Sequence, residues 1–448
     1  MLRRIKMKKY VMPLLYLMSS FVYGFQADIP HKPSVINIQF LAEITAKGQK
    51  ITGVALEYED NILANENLRQ LYQVAVFLDD NFIENRQVMG AYTFHQPTFS
   101  HQATAGKYVI LALDEFDKSA DLYQLKLDNI SPIRVRERDK EGKVVWSEKV
   151  QSVKIPEYYN ARLKYLITQK GNIKLANGRT LGALQEWQTA DKSKVSTAYL
   201  DQFSHRTVYL NRKENSLNYR LYQPRDKQKN YPLTIFLHGS GQVGSDNLAQ
   251  LLSSKGAIST LQYEEGFVLA PQYSAVFDPF DQGRGIHWQT PNRIDLLVKM
   301  IEKTVREHGN IDKNRIYIIG LSRGAEGGLN LLLKRPDWFA GALLMSGREA
   351  SSLEWIDGNA NKDNLMVLRN MPIWFFHSKE DSISPVKGSR INYRILAEQL
   401  QAPFVKYTEF STTQAGDNGI IHHNPHNTWD AVFNSPEVMM WLLEQRKR

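Results

Sequence analysis

The stretch Arg315-Ile316-Tyr317-Ile318-Ile319-Gly320-Leu321-Ser322-Arg323-Gly324 constrains the fold more than any other part of the chain. Its first half is apolar and rich in β-branched residues, the pattern of a parallel strand buried on both faces. Its second half is Gly-x-Ser-x-Gly, and a helical pattern follows at once. A serine on such a sharp strand-to-helix turn is held in a strained backbone, with its hydroxyl exposed above the sheet. The flanking glycines let the turn close and let the helix pack against the strand. The start of that helix offers a positive dipole end and the N–H of Arg323 to any oxyanion that forms nearby.

The sequence around this turn repeats the same alternation. Residues 206–211 and 218–222 read as an opening hairpin. Strand patterns follow at 233–238, 267–270, 339–345, 372–377 and 404–410. Between them lie helical patterns at 293–307, 389–401 and 428–445. In the first of these, Ile294, Leu297, Ile301 and Val305 form one apolar stripe. Strands alternating with helices predict a mostly parallel sheet with helices on both faces.

Three further groups of residues belong beside Ser322. The strand at 233–237 runs into His238-Gly239-Ser240-Gly241, where glycines let a backbone approach a substrate closely. A loop after an early strand supplies the second oxyanion donor in serine hydrolases. The expected donors are the N–H of Ser240, or of Gly239, and that of Arg323. The loop His377-Ser378-Lys379-Glu380-Asp381 follows a later strand and supplies a carboxylate, with Asp381 preferred over Glu380. The base comes last, from His422, His423 and His426, and His426 directly precedes the closing helix and its Trp429. A metal-binding reading of this histidine cluster is disfavoured because Pro425 breaks any shared helical face, so no metal and no cofactor are expected. Serine, aspartate and histidine then follow in the chain order of the α/β-hydrolases, not that of the chymotrypsin-like or subtilisin-like proteases. The loop from Asp281 to Trp288 is expected to form the facing wall, with Trp288 as a flat apolar surface. Arg323 is expected either to read an acidic group on the substrate or to pair with Glu326 or Asp381.

Several of these stretches resemble secreted α/β-hydrolase esterases related to the polyhydroxybutyrate depolymerases. They are Tyr231-Pro232-Leu233 through Gly241, Ala270-Pro271-Gln272, Ile311 through Ser322, Phe376-His377 with Asp381, and His426-x-x-Trp429. A subgroup of that family carries an N-terminal immunoglobulin-like domain, which Arg86 to Leu113 resembles. The chain departs from the family where methionine usually follows the nucleophile and Arg323 stands here. It departs again where Gly324-Ala325 replaces a usual Gly-Gly.

The first third of the chain has a different rhythm. Short strand patterns at 35–44, 51–58, 71–77, 88–94, 107–113 and 144–150 are separated by turns such as Asp79-Asp80-Asn81. This predicts an all-β immunoglobulin-like sandwich. It gathers no catalytic residue types at a useful spacing, so a structural or binding module is expected. The domain reading is an export signal at 1–27, a sandwich at 35–151, a connecting segment at 152–205 and an α/β-hydrolase domain at 206–448. The signal reading rests on Arg3, Arg4, Lys6, Lys8 and Lys9 followed by a short apolar run containing Pro13. The alternative is a retained N-terminal anchor helix. Those five residues supply much of the formal net charge of +9. The remainder is too weakly basic to suggest a nucleic-acid partner. With no cysteine in the chain, disulfides, a lipid-modified cysteine and a cysteine nucleophile are all excluded.

The expected function is an exported serine hydrolase acting on a small-molecule or polymeric carboxylic ester. A prolyl-oligopeptidase-like peptidase and a binding protein with a disabled hydrolase domain remain as alternatives.

Overall fold

The computed structural model describes residues 30, 32, 34–159, 162–191, 194–281, 285–412 and 424–448. The expected signal at 1–27, the candidate bases His422 and His423, and residues 282–284 of the expected facing wall lie outside the described residues. No described helix is long and apolar enough to cross a membrane.

The C-terminal half is built on an eight-stranded sheet. Its spatial order is Ser204–Leu210, Arg212–Tyr222, Phe267–Gln272, Tyr231–Leu237, Ile311–Leu321, Gly341–Met345, Ile373–Ser378 and Val405–Phe410. The first two strands form an antiparallel hairpin that joins the sheet antiparallel to Phe267–Gln272. All later neighbours are parallel. The central strand Tyr231–Leu237 is buried at every position. Its side chains alternate between two cores, as the period of two in a strand requires. Leu233 and Ile235 face the helices Pro291–Glu307 and Arg323–Lys334, while Phe236 faces the closing helices. This is the doubly covered sheet that the alternating pattern predicts.

Two helices differ from expectation. The closing pattern at 428–445 forms two helices, Trp429–Phe433 and Pro436–Glu444. Pro436 lacks the N–H a continuing helix needs and instead opens a new one, capped by Ser435 accepting from the Val438 N–H at 3.3 Å. The pattern at 389–401 begins earlier, as Lys387–Arg394, and ends in a π-turn over Ile395–Gln399.

The N-terminal domain is a sandwich of a five-stranded and a four-stranded sheet. Its boundary differs from the one expected at 151. Leu163–Gln169 lies inside the four-stranded sheet, paired along its length with Tyr72–Leu78. Tyr165 and Ile167 are fully buried between the sheets. Val195–Thr197 adds an edge to the five-stranded sheet, parallel to Val35–Thr45. The segment read as connecting the domains therefore also completes the sandwich. The turn-rich residues between these strands hide the Leu163-x-Tyr165-x-Ile167 alternation that fills the core.

The strand expected at 144–150 belongs to neither sandwich sheet. It is half of a long antiparallel hairpin, Tyr123–Arg138 with Val144–Tyr158. At about 3.3 Å per residue, its sixteen-residue first strand spans roughly 50 Å. That reach carries it onto the C-terminal domain. Near its base, the Tyr123 hydroxyl donates to the Leu252 carbonyl at 3.0 Å. Toward its tip, Ile133 and Val135 are buried against Val276 and Ile286. There the Arg136 guanidinium also pairs with Glu354 at 3.0 Å, and the Arg136 N–H donates to the same carboxylate. We call this element the arm.

Candidate active site

The strand Ile311–Leu321 ends at Ser322, and the helix Arg323–Lys334 begins on the next residue. Ser322 has φ 53° and ψ −122°, a conformation that a non-glycine residue holds only under constraint. The constraint is close packing on both sides. A Cβ on Gly320 would lie 2.3 Å from the Gly324 carbonyl oxygen, and one on Gly324 would lie 1.9 Å from that of Leu237. The Ser322 N–H is tied to the Met345 carbonyl at 2.8 Å. The two glycines of the motif are thus required sterically, as the sequence suggests.

Three residues far apart in sequence meet here. His426 Nε2 lies 3.1 Å from Ser322 Oγ, and His426 Nδ1 lies 2.8 Å from Asp381 Oδ2. The His426 carbonyl accepts from the Ser346 hydroxyl at 2.8 Å, which pins the backbone of the loop. Trp429 packs edge-on to the imidazole, with ring centroids 5.3 Å apart. Burial opposes the charge on Asp381, yet the carboxyl is held well below the usual carboxylate range. Hydrogen bonds from His377, His426 and the Ser384 N–H overcome the desolvation. Its Oδ1 accepts the N–H groups of Ile383 and Ser384, each at 2.9 Å. Glu380 turns away, accepting from the hydroxyls of Ser378 and Ser411.

His377 was not singled out from sequence as a site residue. It is fully buried, with Nε2 3.2 Å from Asp381 Oδ2 and 2.8 Å from the Ser384 carbonyl, and Nδ1 2.7 Å from Ser389 Oγ. It braces the same carboxylate oxygen that His426 approaches. Its position four residues before Asp381 carries no signal without the turn between them.

The expected oxyanion donors lie on the other side of Ser322. Ser240 opens the short 3₁₀ turn Ser240–Gln242, and Arg323 opens the helix after the sharp strand-to-helix turn at Ser322, which we call the elbow. N–H groups in a first helical turn have no intrahelical acceptor. Gly239 sits directly beneath the serine: a Cβ there would be 3.2 Å from Ser322 Cβ and 2.9 Å from Leu321 Cδ1. His238 is buried behind this loop, and desolvation pushes its imidazole down to about 4. The neutral ring holds the loop by donating from Nδ1 to the Gly239 carbonyl at 2.7 Å.

Ser322, Ser240 and Arg323 open onto a cavity of about 330 Å³. Trp288 is not on its wall, which corrects the expectation of a flat substrate surface. The indole has no exposure and donates to the His238 carbonyl at 3.0 Å. It fills the space left by Gly327 of the elbow helix, where a Cβ would come within 2.4 Å of the Trp288 Cβ. Its neighbour His287 reaches the cavity instead, at φ 54° and with Nδ1 2.7 Å from the Tyr273 hydroxyl. Burial, and then the nearby Arg323 and Arg293, keep this imidazole neutral. The Arg323 side chain is buried and donates to Glu326 at 2.7 Å and to the Glu354 carbonyl at 3.0 Å. Its charge is therefore answered within the protein. Among the described residues no group of His, Asp and Glu is arranged to hold a metal ion.

The remaining wall comes from outside the domain. Ile133, Lys149 and Val150 of the arm line the cavity beside Ser322. Nothing in the arm's strand pattern pointed to this role, because the contact depends on where the hairpin docks.

Comparison with known proteins agrees with this architecture. Residues 37–182 match the model of the esterase Ig-like N-terminal domain, and residues 221–415 match that of the phospholipase/carboxylesterase family. The chain is 25% identical to a thermostable esterase of known crystal structure. That match covers 92% of this chain and 100% of the other, with a TM-score of 0.69. Fungal esterases from Rhizomucor miehei (16% identity, covering 54% of this chain and 80% of that one, TM-score 0.37) and a ferulic acid esterase (15%, 54% and 98%, 0.37) are more distant. No curated protein sequence matches the chain. The two family matches meet in one polypeptide whose sheet, strand-to-helix turn and sandwich are those described above: an esterase Ig-like domain over residues 37–182 followed by a phospholipase/carboxylesterase domain of α/β-hydrolase fold over residues 221–415.

Proposed function

We propose that the protein hydrolyses carboxylic esters through an acyl-enzyme on Ser322. In this reading Ser322 Oγ attacks the ester carbonyl while His426 Nε2 takes its proton. Asp381 keeps the imidazole in the productive tautomer and stabilises it when charged. The N–H groups of Ser240 and Arg323 receive the tetrahedral oxyanion, each such donor being worth about 10²–10³ in rate. The tetrahedral intermediate collapses, and His426 returns the proton to the departing alcohol. A water deprotonated by His426 then attacks the acyl-enzyme, releasing the acid and freeing Ser322.

One observation carries the reading: the unbroken line from Ser322 Oγ through His426 to Asp381, with separations of 3.1 and 2.8 Å. The basic residues and short apolar run at the N-terminus support export as part of the same proposal.

The test compares 4-nitrophenyl acetate with a chromogenic prolyl peptide, alongside labelling by a fluorophosphonate probe. Turnover of the ester and labelling that disappears in Ser322→Ala are expected. Cleavage of the peptide in preference to the ester would favour a peptidase. Absence of both turnover and labelling would favour a disabled binding domain.

A further inference from the structure

Four charged side chains line the cavity: Lys149, Arg323, Arg348 and Glu326. Two of the cations are engaged at close range. Lys149 Nζ lies 2.7 Å from Glu137, and Arg323 Nη1 lies 2.7 Å from Glu326 Oε2. Glu326 Oε2 also accepts from Gln289 Nε2 at 2.8 Å. Arg348 differs. Its nearest carboxylate oxygen is Glu326 Oε1, 3.9 Å from Nε and beyond hydrogen-bond distance. No side-chain hydrogen bond is formed by Arg348 among the described residues, although its side chain is only 11% exposed. A guanidinium carries five N–H donors in one plane and stays charged even when buried. One carboxylate thus stands between two arginines, and among the described residues nothing fills the fork of Arg348.

The position of Arg348 is also fixed. Its carbonyl accepts from Asn392 Nδ2 at 3.1 Å, and the Ala350 N–H donates to Asn392 Oδ1 at 2.9 Å. Gly388 packs so closely on this loop that a Cβ would lie 2.5 Å from the Glu349 nitrogen. The remaining rim has an apolar side, with Ile133 and Val150 from the arm, Val276 and the exposed Ile383, and a polar side with Ser240, His287 and Ser384. A cavity with a serine, an apolar side and a pre-set, half-neutralised cation suits a ligand that is apolar in its middle and anionic at one end. Asp381 does not fill the cation's need, because both its oxygens are already bonded.

Building on the esterase reading above, we propose that Arg348 is a specificity residue that selects esters bearing a second, ionised carboxylate. The carboxylate would accept two parallel N–H bonds from the guanidinium, an arrangement stronger and more directional than a neutral contact.

The test uses two pairs of esters, each pair differing by one carboxylate, which distinguish a carboxylate on the acyl side from one on the alcohol side. The first pair is mono-4-nitrophenyl glutarate and 4-nitrophenyl butyrate. The second is 4-acetoxybenzoate and phenyl acetate. For one pair, the wild type should show kcat/KM about 10-fold higher for the acidic member. Arg348→Met should lower the acidic-to-neutral ratio by about 10–100-fold, and Arg348→Lys should lower it less, because it keeps the charge and loses the fork. Free glutarate should also inhibit butyrate-ester turnover by the wild type more strongly than its neutral diamide, glutaramide, does, a comparison that needs no variant. A ratio equal in wild type and Arg348→Met, or equal inhibition by glutarate and glutaramide, overturns the proposal. If the wild type hydrolyses the neutral esters without an acidic preference, this inference falls and the esterase reading stands. If it hydrolyses none of the four, both fall.

Discussion

The elbow and the arm face each other across one cavity, yet they are built on opposite principles. The elbow is local: a buried strand, a strained serine and a helix lie within about twenty residues, and glycines at 320 and 324 allow them to close. The arm is remote. It leaves the sandwich, crosses to the other domain and is held there by a small apolar cluster and the Arg136–Glu354 pair. The first arrangement suits chemistry, where sub-ångström placement on rigid elements matters. The second suits selection, because a wall borrowed from another domain can change without disturbing Ser322, the proposed nucleophile. The difference implies that damage to the elbow should abolish rate, whereas damage to the arm should alter which substrates are accepted.

The largest expected effect lies at the elbow. Ser322→Ala should reduce kcat by on the order of 10⁶ while the thermal midpoint stays near that of the wild type. A residual rate within about 100-fold of wild type would remove the elbow from the chemistry. Next is Asp381→Asn, which leaves the shape but favours the wrong imidazole tautomer and should cost about 10⁴ in kcat. The same carboxylate has a depressed pKa in the folded state, so its stabilising contribution is present above the unfolded value near 4 and is lost as pH falls below it. Acid unfolding of Asp381→Asn should therefore be less steep than that of the wild type.

The arm should respond differently. Arg136→Ala leaves the Glu354 carboxylate buried without its cation, which costs about 3 kcal/mol locally. Hydrogen exchange should rise along Tyr123–Arg138 and Val144–Tyr158. KM for a bulky ester should rise about 10-fold, with a smaller change for the acetate. Equal losses in kcat for both esters would mean that the arm supports the elbow, and the contrast between the two regions would collapse.

The smallest effect lies behind the base. Asp430 accepts from Asn427 at 2.6 Å, while its other oxygen is buried without a partner among the described residues. Burial raises its carboxyl to about 6. The folded state then binds the proton more tightly than the unfolded state, so stability falls as pH rises from about 4 to 6. Asp430→Asn should flatten that slope and, allowing for partial solvent screening, gain about 1 kcal/mol at pH 7. An unchanged pH profile by chemical denaturation would show that water relieves the buried oxygen.

Much of the C-terminal domain was legible because its signals are short-range. The buried strand, the glycines and the helix after Ser322 are contiguous, and the alternation of strands and helices implies the parallel sheet. Asp381 and His426 could be nominated because each ends or follows a recognisable strand. Other features were not legible. The Leu163–Gln169 strand was hidden by turn-rich flanks, and Trp288 has the composition of a binding surface although Gly327 draws it into the core. His377 and Arg348 carry no pattern of their own, and the arm's strand pattern at 144–150 says nothing of where the hairpin docks.

Backbone geometry set by neighbouring residues is what the sequence alone determined: where the serine elbow forms, which strands are buried, and that a sandwich precedes the sheet. Only the tertiary structure decided which carboxylate faces His426, where Trp288 lies, which arginine keeps an open fork, and that the first domain supplies a wall of the cavity. The physical reason is range. Periodicity and turn chemistry act over a few residues and are written in their order. The docking of the arm onto Val276 and Ile286, or of His377 against Asp381, depends on packing between segments whose separation in sequence sets no particular distance in space.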